Sequence, residues 1–136
     1  MNEKLQEIAY QINTGNVAGG NVFSAVFNEA EGTVTVENST TPDATVIVVA
    51  TDTQILTITP LFEEDSVREE LRAELNRGML TISLPMALSS VGLQDNRYVL
   101  FGAMAIETTM ANLIHEIEVQ IDNYNDVLEA VADYIQ

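Results

Sequence analysis

The chain has 136 residues, 46% of them hydrophobic, and sets 21 acidic against five basic side chains for a net charge of −16. That length gives one domain, residues 1–136, burying about two thirds of its unfolded surface, and the apolar supply separates it from disordered acidic chains. The charge repels phosphate backbones and anionic membranes, so neither nucleic acid nor direct membrane insertion is expected; the absence of cysteine excludes disulfides, thiolate nucleophiles and sulfur metal sites.

In chain order, Leu5, Ile8, Ala9 and Ile12 follow helical spacing, with Asn2 as N-cap and Gly15 as stop, and predict a short amphipathic helix. Glu3 and Glu7 interrupt the opening segment, which therefore does not read as a signal peptide. The longest apolar run, residues 46–50, is far short of the roughly 20 residues a bilayer requires, so the cytoplasm is the expected compartment. After a connection over 16–20, strands at 22–28 and 33–37 flank a turn ending at Gly32, and strands at 44–50 and 53–59 flank Thr51 and Asp52. Residues 46–49 are apolar at every position, as in a strand covered on both faces. Val46, Val48, Ile55 and Ile58 are expected in the core.

Pro60 is expected to end this sheet segment. The acids Glu63, Glu64 and Asp65 then start a helix through Val67, Leu71 and Leu75 that Gly78 closes. Its cations Arg68, Arg72 and Arg77 read as local ion-pair partners, Arg72 with Glu69. Strands at 79–84 and 97–104 follow, separated by a loop over 85–96. The fold class is α+β: a mainly antiparallel sheet of five to six strands with an N-terminal helix, a middle helix and a long C-terminal helix.

The last helix, read over 108–135 and capped by Thr108 or its neighbour, has apolar residues at Met110, Leu113, Ile117, Ile121, Tyr124, Leu128, Val131 and Ile135. Beside this stripe run Glu118, Asp122, Asp126, Glu129 and Asp133, with no Lys or Arg. Their mutual repulsion and their conflict with the helix dipole cost on the order of 2 to 4 kcal/mol. At 1.5 Å per residue such a helix is about 42 Å long, more than the roughly 37 Å diameter of a compact domain of this size. It is expected to overhang, to bend at residues 122–126, or to meet another subunit.

No residue constellation spells out a reaction. His115 has Glu116 and Glu118 nearby but no His-Glu-x-x-His pattern, and reads as a solvated histidine. Ser89 and Ser90 lack the Gly-x-Ser-x-Gly elbow and read as turn hydroxyls. No EF-hand loop or phosphate cradle is present, so no cofactor or metal is assigned and an enzyme is not expected.

The run Leu84-Pro85-Met86-Ala87-Leu88-Ser89-Ser90-Val91-Gly92-Leu93, then Tyr98-Val99-Leu100-Phe101-Gly102-Ala103-Met104 and the acidic helix, resembles the YjfI-like family of uncharacterised bacterial proteins, most closely over 84–128. That resemblance implies no assigned reaction, and an envelope-stress setting with a phage-shock-protein-A-like partner. The element order is also similar to that of type III secretion chaperones, which implies dimers that wrap a client. The sequence thus points to a protein-binding or adaptor module and a homodimer. Its partner, a protein with a basic surface, would be held by Glu118, Asp122, Asp126, Glu129 and Asp133 and by the apolar anchors Tyr124, Leu128 and Val131. A structural homo-oligomer without a client, or a secretion-chaperone-like client binder, is the alternative.

Overall fold

A computed structural model describes residues 2–15, 17–18 and 20–135. It has three helices, α1 (Asn2–Thr14), α2 (Arg72–Ser83) and α3 (Met110–Val131). Its strands are β1 (Val17–Ala18), β2 (Asn21–Asn28), β3 (Thr33–Asn38), β4 (Val46–Ala50), β5 (Gln54–Glu63), β6 (Ser90–Gln94) and β7 (Arg97–Ala105). The two-residue β1 pairs at the edge with β2, and the whole sheet is antiparallel in the order β1-β2-β3-β4-β5-β7-β6. This is the α+β class expected from the pattern. The strands as far as β5 form a meander; the β6–β7 hairpin then returns so that β7 lies beside β5 and β6 forms the far edge.

All three helices belong to one side. On it, Phe23, Val34, Val36, Val46, Val48, Ile55 and Leu100 meet Leu5, Ile8 and Ile12 of α1 and Leu113, Ile117, Ile121 and Val127 of α3 in a single core. Strand alternation produces this, since Val46 and Val48 share a face with Val36 and Val34 across the ladder. Ile58 departs from expectation. It pairs with Ile47, takes the opposite face and is not part of the core.

Four further expectations are corrected. Pro60 does not end the sheet: β5 continues to Glu63 through a register shift between Pro60 and Phe62, an irregularity at which a residue without N–H is tolerated. Val67 lies not in a helix but in an isolated bridge to Ile135, after a 3-10 turn at Glu64–Ser66 and before another at Glu69–Leu71. The strand expected at 79–84 is the second half of α2. Leu75, Met79 and Ile82 keep four- and three-residue steps toward the core, so helical burial continues past Gly78 at a local cost of about 1 kcal/mol. Residues 85–96 are not all loop. They contain β6, whose Ser-Val-Gly-Leu-Gln run lacks the β-branched density of a central strand because it lies at an edge.

The expected overhang is resolved inside the chain. Thr109 caps α3, its Oγ1 accepting from the Asn112 N–H at 3.1 Å, and the helix runs unbroken through residues 122–126 to Val131. Its 22 residues span about 33 Å, within the domain's diameter. The 3-10 turn Ala132–Tyr134 then carries the chain to Ile135.

Candidate functional site

A buried polar clamp fixes α3 on the sheet. Thr57 Oγ1 donates to Gln120 Oε1 at 2.9 Å, and Gln120 Nε2 donates to Thr59 Oγ1 at 2.8 Å. All three side chains are buried, so each would be costly without its partner. Beside this clamp the chain after α2 lies against the sheet. A Cβ on Gly102 would stand 2.9 Å from the Leu88 carbonyl oxygen, so only glycine allows that approach. Leu88 itself has a left-handed φ of 61°. Asn123 of α3 holds the same loop, its Nδ2 donating to the Ala87 carbonyl at 2.9 Å and to Ser89 Oγ at 3.2 Å. Ser89 is thereby buried as a turn hydroxyl.

The strapped loop and α3 enclose an open groove of about 350 Å³, lined by Ile82, Pro85, Met86, Ala87, Asn123, Asp126, Val127 and Ala130. Its floor is mostly apolar, with one carboxylate, Asp126, on the wall. Leu84, 88% exposed, stands at the end of α2 beside Pro85. Such an arrangement can hold an apolar side chain and a neighbouring cation together. It has no nucleophile–base pair, and among the described residues no group of three or more metal-ligating side chains occurs.

The predicted partner-binding residues divide into two sets. Asp122, Asp126 and Glu129 are exposed on α3, Asp133 is exposed in the 3-10 turn that follows it, and Glu118 is half-buried. Tyr124 and Val131 are core residues, and Leu128 is partly buried against the same core. Tyr124 and Val131 thus keep little free surface on α3, while Ile82 and Met86, from α2 and the loop after it, line the groove. The stripe shifts because Val127, not Leu128, faces the interior with Tyr124 and Val131. Tyr124 has its phenol pushed above the usual range by burial, with the Asp43 charge adding to it. Glu116 is likewise pushed up by burial, opposed by His115, and its Oε2 is buried without a hydrogen-bond partner. His115 is exposed, as expected.

Arg72 pairs with Asp65 at 3.9 Å rather than with Glu69, and Arg97 pairs with Glu63 at 3.0 Å across the β5–β7 ladder. Nothing in the sequence points to Gln120. A glutamine between Ile117 and Tyr124 looks like surface, and only its meeting with two inward threonines 61 and 63 residues away reveals its place.

The groove and fold can be set beside known proteins. Residues 3–135 match the model of a family described as an uncharacterized protein conserved in bacteria, DUF2170, and the chain belongs to that family. No curated protein matches the chain. A chain of the HopA1–SchA chaperone–effector complex superposes with a TM-score of 0.65 at 11% identity, covering 92% of this chain and 93% of that one. YbjN from E. coli gives 0.62 at 16% identity over 98% and 93%. A chain of the heterodimeric ExoU–SpcU complex, from the type III secretion system of Pseudomonas aeruginosa, gives 0.58 at 11% identity over 76% and 86%. At these identities the likeness is one of fold. Among the described residues, no helix is long and apolar enough to cross a membrane.

Proposed function

We propose that this protein is a chaperone-like adaptor that binds a cationic, amphipathic segment of another protein along α3. The observation that carries this reading is the groove whose apolar floor of Ile82, Pro85, Met86 and Ala130 is bordered by Asp126, with Asp122 and Glu129 on the same helix and Asp133 in the turn after it. Apolar side chains of the segment would supply affinity, while the acids would speed encounter and set its orientation. The fold shared with chains of chaperone–effector complexes supports protein binding over catalysis. A cytoplasmic location fits this reading. The YjfI-like resemblance names one partner within the class, a phage-shock-protein-A-like protein in an envelope-stress setting.

The test is a titration of the folded protein with a Lys/Leu amphipathic helical peptide, followed by capture from native lysate at low and high salt. Met86→Glu should abolish binding. Replacing Asp122, Asp126 and Glu129 by Asn, Asn and Gln should weaken it about tenfold at low salt and much less at high salt. Undiminished binding by both folded variants would leave the client-free homo-oligomer as the better reading.

A further inference from the structure

Among the described residues no helix covers the other side of the sheet, which is also apolar. Cross-strand pairing places Val26, Thr35, Ile47, Ile58, Phe101 and Ser90 in one continuous row from β2 to β6. Val49, Leu56 and Ala103 form the row on one flank, and Pro60, Val99 and Gly92 lie on the other. The Phe101 ring lies over Gly92, where a Cβ would come within 3.1 Å of it. Of the larger side chains in these rows, Ile47, Val49, Leu56, Ile58 and Phe101 do not pack into the core, while Val99 is buried, 5% exposed. Val26 is 64% exposed and Phe101 38%.

Charge is almost missing from this face, although the chain carries 21 acids. Of the strand residues only Glu37 and Glu63 are acidic, and Glu63 is neutralised by Arg97 at the far corner. A cationic partner would be drawn to α3 on the opposite side. Only an uncharged surface suits this one, and β4 has the composition of a strand covered on both faces while its own chain covers one.

We infer that a second copy of this chain occupies the open face, sheet against sheet, forming a two-fold dimer. The physical argument is that this pairing minimises repulsion between two chains of charge −16. It places the two α3 helices on the outer sides, separated by three layers of roughly 10 Å each, several times the ~8 Å screening length at physiological salt. An axis along the strands between β4 and β5 lays β3 of one copy over β7 of the other. Glu37 then comes over the strand that carries Arg97. Six strands at about 4.8 Å spacing, each contributing about five residues, give roughly 1,000 Å² over both copies, the lower bound for a specific interface. The dimer is accordingly reversible and concentration-dependent, and it leaves both α3 grooves facing outward.

The native chain has no cysteine, which allows a direct test by single-cysteine variants of the full-length protein. Ile47→Cys and Ile58→Cys lie next to the axis, with Cα atoms of the two copies about 11 Å apart, too far for a direct disulfide but within reach of a short bismaleimide, which should crosslink them in high yield; His115→Cys, exposed on α3 on the opposite side, should stay largely monomeric. In sedimentation velocity the parent should pass from monomer to dimer between about 1 and 300 μM, and Val26→Lys, at a position too exposed to endanger folding, should weaken that association at least fivefold. A parent that is monomeric at 300 μM overturns the inference, as does equal crosslinking of His115→Cys and Ile47→Cys or a dimer indifferent to Val26→Lys. Each outcome is independent of whether the α3 groove binds a client.

Discussion

The two faces of the sheet are built from much the same residues and meet different fates. On one, Val34, Val36, Val46 and Val48 are enclosed by α1 and α3; on the other, Val26, Ile47, Val49, Leu56 and Ile58 lie outside the core. Hydrophobicity alone does not separate them. What does is the placement of the helices, because α1, α2 and α3 all belong to the same side. An apolar second face is a liability in a monomer, since large exposed patches mark interaction or aggregation surfaces.

The sharpest way to break the comparison uses adjacent residues of opposite orientation. Val48→Asp buries a carboxylate without a partner and should destabilise the domain by at least about 3 kcal/mol, enough to unfold it at room temperature by circular dichroism. Ile47→Asp, one position away, should retain a cooperative melt at low micromolar concentration. If both variants unfold, the second face is as essential to the monomer as the first. The next effect in size belongs to the polar clamp. Gln120→Leu removes the partner of the Thr57 and Thr59 hydroxyls and should cost about 1 to 3 kcal/mol in urea unfolding, whereas the triple replacement Thr57→Val, Thr59→Val, Gln120→Leu should recover most of the loss.

A smaller effect of opposite sign is expected on α3. Asp122→Asn, Asp126→Asn and Glu129→Gln together should raise stability by about 0.5 to 1 kcal/mol at low salt, and the gain should shrink as salt rises. A drop in melting temperature instead would mean that the acids make stabilising contacts. The smallest effect concerns Glu116, whose folded-state pKa is raised by burial. Its ionised form is penalised in the folded protein, so the penalty is present at neutral pH and is relieved as pH falls through the folded pKa. Glu116→Gln should therefore melt above the parent at pH 7, with the gap closing on acidification through the carboxylate range. A constant gap would assign the gain to something other than the charge.

Where one period ran without interruption, the sequence alone determined the structure. Leu5, Ile8 and Ile12 defined α1, the alternating strands β2 and β3 and the wholly apolar β4 were legible with their turns, and the α+β class followed. The acidic character of α3 was equally plain, since charge needs no tertiary context. Tertiary structure decided the remainder, for three physical reasons. Met79 to Ser83 could be read as strand or helix, and the contact of Met79 and Ile82 with the core selected helix. Leu128 and Val127 are adjacent apolar residues on α3, and only the docking angle, held by the Gln120 clamp, chose which one faces inward. Alternation sorts side chains into two faces but does not say which face a helix will cover. That choice depends on where the connections run, and it left one apolar face in the core and the other free to meet a second copy.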